Sequence, residues 1–296
     1  MEAEIHMSSS SLNKAALSAG RRMRETIGSR SITPFIGIYD VFSASIAGRH
    51  FDSLFVGGFG FAASYYGLPD IGFIAWSDIV AFVQRVRTVL PDHNILVDID
   101  DGYCDTEVAC HVVSLLEASG ASGVVIEDQK RPRRCGHFDG KQIMELEEYL
   151  DKLRQVLATR RELFVVARTD SSDPEDIAIR VKAFAEAGAD AVLVDGLKSF
   201  DTIRQIKALV DRPLCFNQIA GGKSPVCTLS ELSEAGVSLA IYSTPCLFPV
   251  QTTIEDAMQE IKANDGSLAG SKIGVQDCTR VLSENLARRG RCNCSK

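Results

Sequence analysis

Short apolar runs recur along this chain, and most of them stop abruptly in a polar residue or a glycine. Runs at 34–38, 53–57, 94–99, 123–127, 163–168, 191–195, 213–217 and 239–243 have the length and side chains of buried strands. Between them, apolar residues return at helical spacing, as Val80, Val83, Val86 and Val89–Leu90 do. Helices are expected near 41–48, 77–90, 105–119, 143–159, 174–187, 199–210, 228–235 and 250–263. One design repeats in Leu116–Ser122, Phe184–Asp190 and Leu232–Ser238, where a helix end meets a glycine and then a strand. Gly120, Gly188 and Gly236 suit the left-handed cap that such a turn uses. Continuous apolar strands alternating with amphipathic helices predict a parallel sheet covered on both faces, and eight of them predict a (β/α)8 TIM barrel.

Residues 1–30 read as an N-terminal helical extension with a flexible start, and 31–263 as the barrel. Residues 264–296 open on a break at Asn264-Asp265-Gly266-Ser267, continue as a helical segment and end in a loose basic tail.

A barrel of this kind carries its functional groups at the C-terminal ends of its strands. Those ends are Tyr39-Asp40, Gly57-Gly58, Asp98-Ile99-Asp100, Glu127-Asp128, Arg168-Thr169-Asp170, Asp195, Asn217 and Ser243-Thr244. Such consistent decoration argues for an enzyme. Asp98 and Asp100 are two apart on an expected strand and should share a face, with Glu127 arriving from the next strand. Converging carboxylates repel unless a cation joins them, and hard Mg²⁺ takes oxygen ligands. The rival reading is a helix N-cap, a role that Asp101 or Asp105 suits better.

The second acidic end leads into a loop with Lys130, Arg131, Arg133 and Arg134 around Cys135-Gly136-His137. Positive neighbours favour a thiolate, so Cys135 reads as a nucleophile or general acid on a mobile loop; the alternative is a small buried residue. Arg168 offers a planar fork for a carboxylate or phosphonate, unless Asp170 or Asp195 occupies it. Gly221-Gly222-Lys223-Ser224 lacks the spacing of a phosphate loop and reads as a βα loop bringing Lys223 to the mouth. His50, His93 and His111 show no metal-ligand spacing.

Charge and composition narrow the partners. The 296 residues are 45% hydrophobic and 24% charged, with a formal charge of −7, which argues against nucleic acid or an anionic membrane and leaves a small anionic substrate open. No apolar run reaches the length that spans a bilayer. The acidic start and serine run resemble no secretion leader, and the nine cysteines form no small-scaffold framework, so reduced thiols and a cytoplasmic location are expected. Cys292-Asn293-Cys294 reads as incidental.

From about Pro34 to Ile261 the chain resembles the phosphoenolpyruvate mutase/isocitrate lyase superfamily. The likeness is carried by Gly67-Leu68-Pro69-Asp70, Val97-Asp98-Ile99-Asp100-Asp101-Gly102-Tyr103, Glu127-Asp128-Gln129, Arg134-Cys135-Gly136-His137, Ala167-Arg168-Thr169-Asp170 and Gly221-Gly222-Lys223-Ser224-Pro225. It implies a (β/α)8 barrel, a Mg²⁺–water cluster on Asp70, Asp98, Asp100 and Glu127, and an enolate at the mouth. By the same likeness, Arg168 and the Gly57-Gly58 amides hold the substrate acid, and Cys135 and His137 serve catalysis. Tyr39, Arg134, Gly136, Asp195, Asn217 and Lys223 complete the expected substrate contacts. The last barrel helix is expected to be exchanged between subunits of a homodimer or homotetramer.

Departures from the superfamily patterns refine the expectation. Glu127-Asp128-Gln129 stands where phosphoenolpyruvate mutases carry Glu-Asp-Lys. The Cys-Gly-His loop marks the carbon–carbon lyases, yet those usually carry Ser-Gly at Gly57-Gly58 and glutamate at Asp195. The stretches Phe61–Asp70, Gly102–Asp105 and Phe216–Pro225 carry a closer likeness. It implies migration of phosphorus from an enol oxygen to carbon 3 with loss of CO₂. The alternative is C–C lysis with Cys135 as acid.

Overall fold

The eight strands pair in parallel, in chain order, and close on themselves. They are β1 (Thr33–Ile38), β2 (Ser53–Val56), β3 (Asn94–Asp98), β4 (Gly123–Glu127), β5 (Phe164–Thr169), β6 (Ala191–Val194), β7 (Leu214–Gln218) and β8 (Val237–Tyr242). Parallel neighbours need long crossovers, and here helices supply them. This is a computed structural model, and it describes residues 17–103, 105–134, 140–267 and 272–292.

Both faces of the barrel wall are buried, as the unbroken apolar runs require. Inward side chains such as Phe35, Phe55, Leu96, Val125, Phe164 and Leu193 fill the barrel. Outward ones such as Leu54, Val97, Val124, Val165 and Val192 pack beneath the helices. Each such fully buried side chain contributes about 1.5–3 kcal/mol.

Helix α1 (Ala19–Gly28) precedes the barrel. Ser18 caps it, its hydroxyl accepting from the Arg21 amide at 3.1 Å. Met23 and Ile27 join the inner core, so α1 closes the end of the barrel where the strands begin. Its approach is close enough that a Cβ on Gly20 would lie 1.9 Å from the Glu162 carbonyl oxygen, a contact only glycine permits.

The crossovers are α2 (Val41–Ala47), α3 (Gly58–Phe61) with α4 (Trp76–Val89), α5 (Thr106–Ala118), α6 (Leu146–Thr159), α7 (Pro174–Ala187), α8 (Phe200–Leu209) and α9 (Leu229–Glu234). Most boundaries fall within three residues of those expected from the sequence. Gly120, Gly188 and Gly236 adopt positive φ of 88°, 100° and 92°, as the repeated αβ turn predicts. Asp105, not Asp101, caps α5, accepting from the Val108 amide at 2.9 Å.

One feature departs from the sequence reading. Helix α3 and a π-helical turn at Ala62–Tyr66 occupy a glycine- and aromatic-rich stretch where no helix was expected. After the left-handed Asp265 and Gly266 (φ 51° and 87°), helix α11 runs over Val275–Cys292. It packs on α2 and α4, with Asn285 Nδ2 donating to Ser45 Oγ at 2.8 Å.

Helix α10 (Leu247–Ala263), the eighth barrel helix in sequence, buries none of its residues. Val250, Ile254 and Met258 are exposed on it. Among the described residues no helix is long and apolar enough to cross a membrane. Cys110, Cys215, Cys227, Cys246 and Cys278 are free thiols.

Candidate active site

The polar strand ends meet at one rim of the barrel. Asp98 closes β3, and the chain then turns sharply: Asp100 takes a left-handed conformation, φ 52°, unusual for a residue with a side chain. So Asp100 does not share a strand face with Asp98, as simple alternation predicted. It is returned to the cluster by this turn, held by its amide donating to Asp98 Oδ1 (3.1 Å) and its carbonyl accepting from the Glu127 amide (2.9 Å). A sterically disfavoured φ persists where surrounding contacts enforce it, and such positions gather at functional sites.

Glu127 ends β4 and is fully buried; Asp70, Asp98 and Asp100 are also buried. Between Asp70, Asp100 and Glu127 lies the guanidinium of Arg133. Its Nη1 is 2.5 Å from Asp70 Oδ1, its Nη2 2.9 Å from Asp100 Oδ1 and its Nε 3.1 Å from Glu127 Oε1. Burial works against this guanidinium's charge, but Asp100, Glu127 and Asp70 outweigh it and hold the proton on. Sequence pattern alone gave no reason to single out Arg133 among the loop's four cations.

Arg168, at the end of β5, is gripped from one side. Asp170 binds it through two hydrogen bonds, Nε to Oδ2 at 2.9 Å and Nη2 to Oδ1 at 3.0 Å. Asp195 Oδ2 is 2.9 Å and Glu127 Oε2 3.2 Å from Nη2. Among the described residues Nη1 has only Asp98, at 3.7 Å. Both partners anticipated from the sequence, Asp170 and Asp195, therefore hold Arg168, and Nη1 is its least engaged end. Asp195 in turn accepts from Asn217 Nδ2 (3.1 Å), whose oxygen accepts from Ser243 Oγ (2.6 Å).

Burial drives the titration of this cluster. It pushes Asp98 up, and Asp100 and Glu127 well up, from the usual carboxylate range, with Arg133 and Arg168 pulling the other way. Asp170 goes down despite its burial, because Arg168 and Lys141 sit on it. Asp128 is engaged by Arg180 (3.1 Å) and the Asp170 amide (3.0 Å), and burial lifts it to about 6.

Six carboxylates, Asp70, Asp98, Asp100, Glu127, Asp170 and Asp195, thus face three cations, Arg133, Arg168 and Lys141. Asp100 Oδ1 and Glu127 Oε2 are buried and lack a well-aligned hydrogen bond, each meeting a guanidinium only as an ion pair, Arg133 at 2.9 Å and Arg168 at 3.2 Å. Excess buried negative charge with incompletely hydrogen-bonded oxygens fits a hard divalent cation. With Arg133 in place, however, the carboxylates are spread around its guanidinium. Among the described residues no three Asp, Glu, His or Cys side chains stand close enough to hold one ion.

Of the residues singled out from the sequence, Gly57, Gly58, Asp70, Asp98, Arg168 and Asp195 line the central cavity, as do Asn217, Arg133 and Ser243. Asp100 and Glu127 lie beside it, holding Arg133. Tyr39 and Arg134 are not among its lining residues, and Lys223 lines a neighbouring groove with Lys141 and Lys198. Cys135, Gly136 and His137 lie outside the described residues.

The flanks of that loop are pinned. Gln129 Nε2 donates to the Arg134 carbonyl (2.8 Å) and its Oε1 accepts from the Arg134 amide (3.0 Å). Arg131 makes two 2.8 Å bonds to Asp101, and Lys141 Nζ donates to Asp170 Oδ1 at 2.7 Å.

Comparison with known proteins agrees with this picture. The sequence profile of phosphoenolpyruvate phosphomutase matches residues 25–262. A 2-methylisocitrate lyase of Halalkalibacterium halodurans is 33% identical, covering 84% of each chain. A chloroplastic carboxyvinyl-carboxyphosphonate phosphorylmutase of Arabidopsis thaliana is 32% identical over 82% of this chain and 74% of its own. The crystal structure of a 2,3-dimethylmalate lyase superposes with a TM-score of 0.87 at 26% identity, covering 94% of this chain and 96% of the other.

Proposed function

This chain belongs to the phosphoenolpyruvate phosphomutase family, of the phosphoenolpyruvate mutase/isocitrate lyase superfamily, and we propose that its barrel mouth stabilises the enolate of a 2-oxo acid beside Mg²⁺. The observation that carries this reading is the buried excess of carboxylate at one rim, set against a guanidinium with one open edge. Asp70, Asp98, Asp100 and Glu127 would hold the ion. When bound, Mg²⁺ supplies positive charge to the developing enolate oxygen.

This chain's own groups do the rest. Asp170 fixes the plane of Arg168, so that Nη1 can meet a substrate carboxylate without first being oriented. The backbone at Gly57 and Gly58 forms the cavity wall where no side chain intervenes. In this reading the loop that carries Cys135 and His137 would keep water from the reacting fragment.

The reaction we assign is rearrangement of carboxyphosphonoenolpyruvate to phosphinopyruvate: the bond from phosphorus to the enol oxygen breaks, a bond to carbon 3 forms, and the bond from phosphorus to its carboxylate breaks to release CO₂, a proton from solvent taking that place on phosphorus. Gly57 in place of the serine, Asp195 in place of the longer glutamate and the Arabidopsis phosphorylmutase support it. A second reading is cleavage of a C–C bond in a methylisocitrate- or dimethylmalate-like diacid, or hydrolysis of oxaloacetate. There Cys135 would protonate carbon 3 of the enolate. The Arg134-Cys135-Gly136-His137 motif and the lyase relatives support that.

Phosphorus-31 NMR with carboxyphosphonoenolpyruvate and Mg²⁺ separates the two. A new phosphinate resonance, split by a directly bonded hydrogen as an H–P–C group requires, is the expected outcome. No phosphorus product, together with turnover of methylisocitrate, dimethylmalate or oxaloacetate, contradicts the mutase assignment and leaves the enolate reading standing. Cys135→Ser should abolish the lyase reaction and spare part of the mutase reaction.

A further inference from the structure

We propose that the Arg133 guanidinium and the divalent cation are alternative occupants of one carboxylate cluster, so that metal entry expels Arg133 and loosens the loop segment it anchors. This rests on the magnesium reading above.

Two observations and one electrostatic argument carry it. First, Arg133 is bound by three of the four carboxylates assigned to the metal, at 2.5, 2.9 and 3.1 Å, and is itself 2% exposed. Second, Mg²⁺ demands oxygens at about 2.0–2.1 Å in a near-octahedral shell, which cannot form while a planar guanidinium separates those same oxygens. Third, two positive groups among one set of carboxylates repel each other, and the ion carries the larger charge.

Arg133 therefore acts as a built-in counter-ion. It neutralises part of a buried acidic cluster that would otherwise repel itself or take up protons. It lies next to Arg134, whose backbone is clipped to Gln129, and two residues before Cys135. Its anchorage in the cluster holds residues 130–134 against the rim. Replacing Arg133 by the ion removes that anchor just when the site becomes competent. Arg133 is thus a positioning residue that couples metal occupancy to the order of residues 130–134.

The test uses the full chain stripped of metal and titrated with MgCl₂ in a calorimeter, as wild type, Arg133→Gln and Arg133→Lys. Arg133→Gln is expected to bind Mg²⁺ about tenfold more tightly or better, close to 1.4 kcal/mol, because nothing charged must be displaced. Arg133→Lys, which keeps a charge, should stay nearer to wild type. In parallel, hydrogen–deuterium exchange on the wild type should show faster amide exchange across 130–134 when Mg²⁺ is added. That second arm decides the matter alone if Arg133→Gln does not fold. Equal or weaker Mg²⁺ binding in folded Arg133→Gln, or saturating Mg²⁺ with exchange over 130–134 unchanged or slower, overturns the competition alone. Failure of Mg²⁺ to bind either protein overturns the magnesium reading and the competition with it.

Discussion

Gly58 sets how near Asp70 can come to the cavity floor. A Cβ there would lie 3.1 and 3.2 Å from the two Asp70 carboxylate oxygens, so Gly58→Ala must push that carboxylate aside. Mg²⁺ binding by Gly58→Ala should weaken by about tenfold, ~1.4 kcal/mol, in a calorimetric titration. Gly28→Ala, with nothing within 4 Å of its Cβ, should bind as wild type does. His93 makes a different prediction. Its ring contacts the Gly48 carbonyl at 2.9 Å, and burial depresses its pKa, so the folded protein keeps it neutral where the unfolded chain would protonate it. Its contribution is present above pH 6.5 and is lost as pH falls through the lower folded value. The fall in Tm from pH 7 to pH 5 should be shallower in His93→Gln than in wild type. At this scale Asp98 and Glu127 were legible, because a carboxylate ending an apolar run needs a reason to be there. The route of Asp100 was not, since alternation along a strand says nothing about a left-handed turn. Arg133 was not either, because a run of loop cations has no periodicity from which to choose one.

Elements came through more clearly, because burial on two faces writes itself into composition. The glycine-capped αβ turns marked three junctions directly, and all three glycines are left-handed. Helix α3 and the π-helical turn were invisible: Gly57, Gly58 and Gly60 lower helix propensity, and tertiary packing of Phe61 against Phe82, with local stacking on Tyr65, holds that stretch instead. Tyr149 ties α6 to β4, its hydroxyl donating to the Ile126 carbonyl at 2.8 Å from a fully buried position. Tyr149→Phe should cost about 1–3 kcal/mol in chemical denaturation, since the carbonyl one residue before Glu127 loses its donor. Helix α10 carries Val250, Ile254 and Met258 exposed, and buries nothing. If it is exchanged between subunits, as the superfamily resemblance implies, Ile254→Glu should lower the oligomeric mass measured by light scattering. An unchanged mass would contradict the exchange.

The molecule as a whole resolves into a rigid cylinder plugged at one end by α1 and charged at the other. The barrel was legible from eight apolar runs and the order of their endings. What one chain's pattern cannot encode is how six buried carboxylates share three cations, because that depends on distances across the rim between strands far apart in sequence. The account's central claim is that this rim, loaded with Mg²⁺, holds an enolate-shaped dianion against Arg168. Calorimetric titration with oxalate, a planar mimic of the pyruvate enolate, tests it most directly. The account predicts oxalate binding that requires Mg²⁺ and is lost in Arg168→Gln. Oxalate that binds equally well after removal of the metal, or equally well to Arg168→Gln with the metal present, would contradict it.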